Sequence, residues 1–164
     1  MKKIILAALA VVAFGAQAAD EGAYAGLNYN HASFSGDASG SENAVGFYAG
    51  YRMGNIAGEI ARFQKTVGGD KLTVTDIAAV PRLNVAKDVD LLGKVGIRYS
   101  EISGADEDGA AFKEKGTSLV VGAGIEYTVM PQLSVRAMVD YSNKTFGLSG
   151  AHATTTTLGV AYKF

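Results

Sequence analysis

The stretch Ala44-Val45-Gly46-Phe47-Tyr48-Ala49-Gly50-Tyr51-Arg52 divides into two sets of opposite parity. Val45, Phe47, Ala49 and Tyr51 form an apolar set; Gly46, Tyr48, Gly50 and Arg52 mix glycine, phenol and guanidinium. Side chains alternate across a strand, so a period of two makes this segment a strand with one apolar face.

The alternation recurs along the chain and predicts seven further strands, at about 22–31, 55–65, 72–85, 89–101, 117–129, 132–142 and 154–164. The apolar faces carry Ala25, Leu27 and Tyr29, then Ile56 and Ile60, then Ile77, Ala79 and Leu83, with Pro81 as a defect. They continue through Leu91, Val95, Ile97 and Tyr99; Leu119, Val121, Ala123, Ile125 and Tyr127; Leu133, Val135, Ala137, Val139 and Tyr141; and Leu158, Val160, Tyr162 and Phe164. No run of about 18 apolar residues follows the start of the chain, so membrane-spanning helices are excluded.

The start is of another kind. Lys2 and Lys3, the apolar run Ile4 to Gly15, and Ala16-Gln17-Ala18 are the three parts of a secretory signal peptide, so residues 1–18 are expected to be removed and 19–164 to form one domain. Losing the two lysines takes the formal charge from −1 to −3.

Composition narrows the chemistry. Fifteen Lys and Arg against sixteen Asp and Glu leave no basic footprint for nucleic acid. The absence of Cys and the presence of only two His remove disulfide frameworks, zinc ribbons and thiol catalysis. Gly is abundant at 21 residues, 48% of the chain is hydrophobic, and 19% is charged.

Eight strands suit either a soluble barrel with its apolar face inward or a membrane barrel with that face outward. The second face decides in favour of the membrane barrel: glycines at 26, 46, 50, 96, 122, 124 and 159 alternate with single charges of both signs, as a cramped polar interior requires. Aromatic placement agrees. With strands running up and down, Tyr29, Tyr99 and Tyr141 fall at the far ends of odd strands, and Tyr51, Tyr127 and Tyr162, with Phe164, at the near ends of even ones. Two belts separated by aliphatic residues are what a bilayer's two interfaces select. Short connections are expected on the near side, at Met53-Gly54-Asn55, Lys87-Asp88 and Met130-Pro131-Gln132. Longer polar ones are expected on the far side, at 31–43, 66–71, 102–116 and 143–153. Outer-membrane barrels show this asymmetry, which puts both termini in the periplasm.

Tyr24-Ala-Gly-Leu-Asn-Tyr29, Gly46-Phe-Tyr-Ala-Gly-Tyr-Arg52 and Leu158-Gly-Val-Ala-Tyr-Lys-Phe164 resemble the small outer-membrane barrels of the OmpA/OmpX type, over essentially the whole mature chain. The resemblance implies an all-β, eight-stranded antiparallel up-and-down transmembrane barrel. It also implies that Val160, Tyr162 and Phe164 are similar to the signal read by the barrel-assembly machinery of Gram-negative bacteria. The peptidoglycan-binding domain that often follows such barrels is not expected, because the sequence ends on the last strand.

Parity places Arg52, Arg82, Lys94, Arg98, Arg136 and Lys163 inside against Glu59, Asp76, Glu126 and Asp140, an interior of +2. Buried charges must pair, so a structural network is expected; the sharper alternative is a gated narrow ion path. His31-Ala32-Ser33 is similar to the His-x-Ser arrangement of a membrane-embedded lipid A deacylase, but no carboxylate can be assigned beside it. Asp106-Glu107-Asp108-Gly109 lacks the full ligand pattern of a calcium loop. Gly122-Ala-Gly124 lacks the third glycine of a dinucleotide loop. Arg62 has outward parity and is expected to reach the far interface.

The resulting expectation is a non-enzymatic outer-membrane protein, without cofactor or metal, that supports envelope integrity and displays adhesin-like loops. Its partners would be outer-membrane lipids, lipopolysaccharide, the assembly machinery and a host or surface ligand, with the barrel itself a monomer. A narrow channel and a lipid A-modifying enzyme are the alternatives.

Overall fold

A computed structural model describes residues 21–36, 40–67, 69–105, 110–143 and 150–164. The expected signal peptide and the Asp106–Gly109 segment lie outside the described residues. Eight antiparallel strands follow one another as β1 (Glu21–Ser35), β2 (Gly40–Met53), β3 (Ile56–Val67), β4 (Asp70–Ala86), β5 (Val89–Ala105), β6 (Ala111–Met130), β7 (Leu133–Asn143) and β8 (His152–Lys163). Each strand pairs with the next and β8 pairs with β1, closing a barrel in which every strand has two neighbours. No described helix is long and apolar enough to cross a membrane.

The near-side turns are tight for a local reason. Gly54 adopts φ 59° between β2 and β3, and Asp88 adopts φ 62° between β4 and β5, a left-handed conformation that Gly and Asp tolerate best. Pro81 has no N–H to give the sheet, and pairing between β4 and β5 passes from Ala79–Val95 to Arg82–Leu92 around it. Gly93 makes room there: a Cβ on it would lie 3.0 Å from the Pro81 ring.

Alternation sets inside and outside as the fold class requires. Outward-facing Leu27 and Val45 are each 67% exposed, whereas Tyr48, on the opposite face of β2, is 1% exposed. The buried interior has an apolar cluster of Tyr24, Tyr48, Ala57, Val80, Leu92, Met138 and Ala161, and a second one of Ala44, Phe63, Leu72 and Val74. Charged side chains occupy the space between strands that neither cluster fills.

The far side differs from expectation. Segments 31–43, 66–71 and 102–116 are mostly strand among their described residues: β1 pairs with β2 out to Phe34–Gly40, β3 with β4 to Val67–Asp70, and β5 with β6 to Ala105–Ala111, while β7 and β8 pair out to Asn143–His152. Here the outward face is polar, for example His31 and Ser33 on β1 and Glu101 opposite Lys115 on β5 and β6, while the inward face keeps Phe34, Leu72 and Val74. The hydrogen-bonded ladder continues although the apolar alternation that betrays it in sequence has ended.

The barrel also divides on this side. Among the described residues, β2–β3 pairing begins only at Gly46–Phe63, and β6–β7 pairing at Val120–Ser142. Beyond those points, β3 to β6 rise as one sheet and β7, β8, β1 and β2 as another.

Candidate functional site

The lumen collects the charges in two layers. Nearer the turns, Arg136 Nη1 and Nη2 both donate to Glu59 Oε2 at 2.8 Å, and the Tyr24 hydroxyl donates to the same oxygen at 2.9 Å. The guanidinium of Arg136 lies 3.6 Å over the Tyr48 ring, adding a cation–π contact in a site with little water to compete. Arg82 makes a bidentate pair with Glu126 and stands 5.7 Å over the Tyr24 ring. One layer farther along, Asp76 accepts from Arg98 Nε and Nη2 and from Lys94 Nζ, all at 2.8 Å. Lys94 also donates to Asp140 at 2.8 Å, and Arg98 Nη1 reaches Ser142 and Thr155.

All ten charged residues assigned inward by parity therefore sit on the luminal face, with Arg52 and Lys163 half-buried at the near rim. Asp90, outside those ten, is also buried and lies 3.6 Å from Arg52 and 3.5 Å from Arg82. It brings the inward set to six cations and five carboxylates, +1 instead of +2. Its place was legible, because Asp90 shares parity with Lys94 and Arg98 on one strand.

Tyr24 and Tyr48, inward aromatics beyond the expected charge network, explain several glycines. A Cβ on Gly50 would lie 2.6 Å from the Tyr24 ring, one on Gly26 2.6 Å from the Tyr48 ring, and one on Gly159 3.2 Å from Tyr48. These glycines make room for aromatic rings rather than for the charges themselves. Two small cavities flank the Glu59–Arg136 pair: one of about 30 Å³ at the near rim, lined by Tyr24, Arg52, Arg82 and Glu126, and one of about 20 Å³ lined by Asn28, Asp76, Lys94 and Arg136.

On the outer wall, Tyr29, Tyr51, Tyr99, Tyr127, Tyr141 and Tyr162 are all about half-exposed and face away from the lumen. Tyr99 pairs with Thr117, ten residues before Tyr127 on β6. At roughly 3.3 Å per residue and a tilt of about 40° this separates the two rims by about 25 Å along the axis, the height of a bilayer's apolar band. Val160 and Tyr162 lie on this wall, and Phe164 packs edge-on against Tyr162 at 5.2 Å.

Above the far rim the wall turns polar. Arg62, Thr73, Thr75, Glu101 and Lys115 surround a shallow depression beside Tyr99, and Lys113 pairs with Glu101 at 2.8 Å. On the opposite side, His31 Nδ1 is 2.7 Å from Asn43 Oδ1, and Ser33 Oγ is 3.4 Å from His31 Nε2. His31 and Asn43, expected in one loop, are cross-strand partners on β1 and β2. Among the described residues, no group of three or more metal-ligating side chains converges.

A family model described as outer membrane protein beta-barrel domain matches residues 4–164. Ail, the attachment invasion locus protein of Yersinia pestis, superposes with a TM-score of 0.69 at 22% identity, covering 88% of this chain and 99% of its own. Neisserial surface protein A gives a TM-score of 0.69 at 20% identity over 87% of this chain and 97% of its own. The N-terminal barrel of Pseudomonas aeruginosa OprF gives 0.66 at 14% identity over 88% and 99%. Ail has also been solved in complex with the heparin analogue sucrose octasulfate. No curated protein matches the sequence at a significant level.

Proposed function

The chain belongs to the outer membrane protein beta-barrel domain family and is an integral outer-membrane protein, and from that premise we propose that it is a surface-display barrel. Its barrel anchors and seals, and its far-side β3–β6 sheet binds a host or surface ligand, a role that needs no catalysis. Both termini lie in the periplasm, the final Val160, Tyr162 and Phe164 serve recognition by the barrel-assembly machinery, and the barrel works as a monomer.

One observation carries this reading. β5 and β6 continue for six residue pairs beyond Tyr99, from Ser100–Gly116 to Ala105–Ala111, well past what is needed to span the bilayer. A barrel that only sealed the membrane has no use for that length. Among the described residues β6 has no partner toward β7 beyond Val120, which leaves main-chain groups to offer there, and Arg62, Lys113 and Lys115 add positive charge to the outer face of the same sheet. Polyanionic sugars fit this chemistry, and a structural neighbour, Ail, is known with a heparin analogue bound. The test is binding of cells expressing the protein to a heparin-coated surface. Wild type should bind, and a variant with residues 104–112 replaced by a two-residue turn should lose binding while its barrel still forms. Equal binding by the shortened barrel counts against the reading.

A narrow ion path is the second reading. It is favoured by the two water-sized cavities, one near Tyr24, Arg82 and Glu126 and one beside Glu59, Arg136 and Lys94.

A further inference from the structure

The outer wall carries a relay that the surface-display role does not use. His31 and Ser33 stand two residues apart on one face of β1, and Asn43 is the cross-strand partner of His31 on β2. With Asn43 Oδ1 2.7 Å from Nδ1, the ring nitrogen that carries hydrogen is Nδ1, which leaves the Nε2 lone pair facing Ser33 Oγ at 3.4 Å. A nucleophile, a base and a group that orients the base are thus in line, the relation by which hydrolytic triads are recognised whatever their order in sequence. The nucleophile–base contact is longer than a tight hydrogen bond, as such contacts are before a substrate draws them in.

The surroundings point to a lipid. On either side of Ser33 stand Ser41 of β2 and Thr154 of β8, and beside His31 on β8 stands Thr156. One step toward the membrane the row becomes Val45, Tyr29 and Leu158, and below it runs an apolar groove of about 680 Å³ lined also by Leu27, Ile125, Val135 and Val160. A hydroxyl-rich step directly above the aromatic rim, with an apolar groove beneath, is the depth at which a membrane lipid holds its ester between headgroup and acyl chain.

We propose that Ser33, His31 and Asn43 form a hydrolytic site on the outer wall that cleaves acyl esters of outer-leaflet lipids. Ser33 Oγ attacks the ester carbonyl carbon while its proton passes to His31 Nε2, and the carbonyl electron pair moves onto oxygen. Thr154 and Ser41, the hydroxyl-bearing neighbours of Ser33, are placed to donate to that oxygen. As the carbonyl reforms, the carbon–oxygen bond to the lipid alcohol breaks, and the alcohol oxygen takes the proton from Nε2. Water then attacks the acyl-serine with His31 again accepting the proton, which releases a fatty acid and restores Ser33. Asn43 is a positioning residue that holds the imidazole in the required tautomer.

Folded full-length protein in detergent micelles, its folding verified by gel mobility, is mixed in separate arms with diacylphosphatidylethanolamine and with lipid A, and fatty acid release is followed by mass spectrometry. A fluorophosphonate probe is applied in parallel, and the labelled residue is mapped. Release in the first arm identifies glycerophospholipids as substrate, and in the second, acylated glucosamine lipids. The expected result is release in at least one arm and an adduct on Ser33, with release lowered by about 100-fold in Ser33→Ala and His31→Ala and by about 10-fold in Asn43→Ala. All three positions are exposed on the wall, so these variants should fold like wild type. Undiminished release by Ser33→Ala, or neither release nor adduct with folded wild type, would overturn the proposal. Neither outcome bears on the heparin experiment, which reads a different sheet.

Discussion

Arg136 and Glu59 show what a single residue does in this lumen. The pair is buried, doubly hydrogen-bonded and capped by Tyr24 and Tyr48, so neither charge has water to fall back on. Glu59→Ala should therefore cost about 3–5 kcal/mol, the usual penalty for leaving one member of a buried pair alone. The readout is a shift of the urea midpoint at which the fast-migrating folded band disappears. Glu59→Gln keeps the shape but loosens the hold on Arg136. If the lumen is a gated path, conductance in a planar bilayer should rise for this variant; unchanged closed behaviour would leave a purely structural network. Gly50→Ala tests the aromatic fit: its Cβ would lie 2.6 Å from the Tyr24 ring, and forced repacking should destabilise the folded form by about 1–3 kcal/mol in the same urea assay. Parity alone located every one of the ten charges assigned inward, because one face of a closed barrel has nowhere else to point. It could not say which charge pairs with which: Arg136 and Glu59 are 77 residues apart, and their meeting depends on how the barrel closes, not on local pattern.

Among the elements, the strands were legible where a membrane had shaped them and illegible beyond it. Near-side turns fall at Gly54-Asn55, Lys87-Asp88 and Pro131-Gln132, since turn residues there interrupt a strong alternation. On the far side the outward face is no longer apolar, so β6 begins at Ala111 where the pattern suggested about 117. The same blindness hid the His31–Asn43 pairing, which needs the register of a polar hairpin. The last strand bears a prediction of its own. β8 closes the barrel against β1, and Val160, Tyr162 and Phe164 end it. Deleting Phe164 should lower the fraction of heat-modifiable protein recovered from outer membranes while the purified variant still folds in detergent. Equal recovery from cells would remove the assembly role.

For the whole molecule, closure is the property that matters. Every strand has a partner on both sides through the membrane span, with a gap at Pro81 between β4 and β5, so the backbone polar groups there find their partners within the barrel wall and not in lipid. The abundant apolar residues that suit a soluble core instead form the outer band between two rims of tyrosine, and the charges that suit a soluble surface fill the lumen. Such an inverted barrel keeps its fold in detergent below boiling and unfolds when boiled, so its two states separate on a gel. The most direct measurement is therefore to isolate outer membranes from cells expressing the full chain and compare unheated with boiled samples by electrophoresis. The account predicts a membrane-bound protein whose unheated band migrates faster than its boiled band. A soluble protein whose band is indifferent to heating would contradict it.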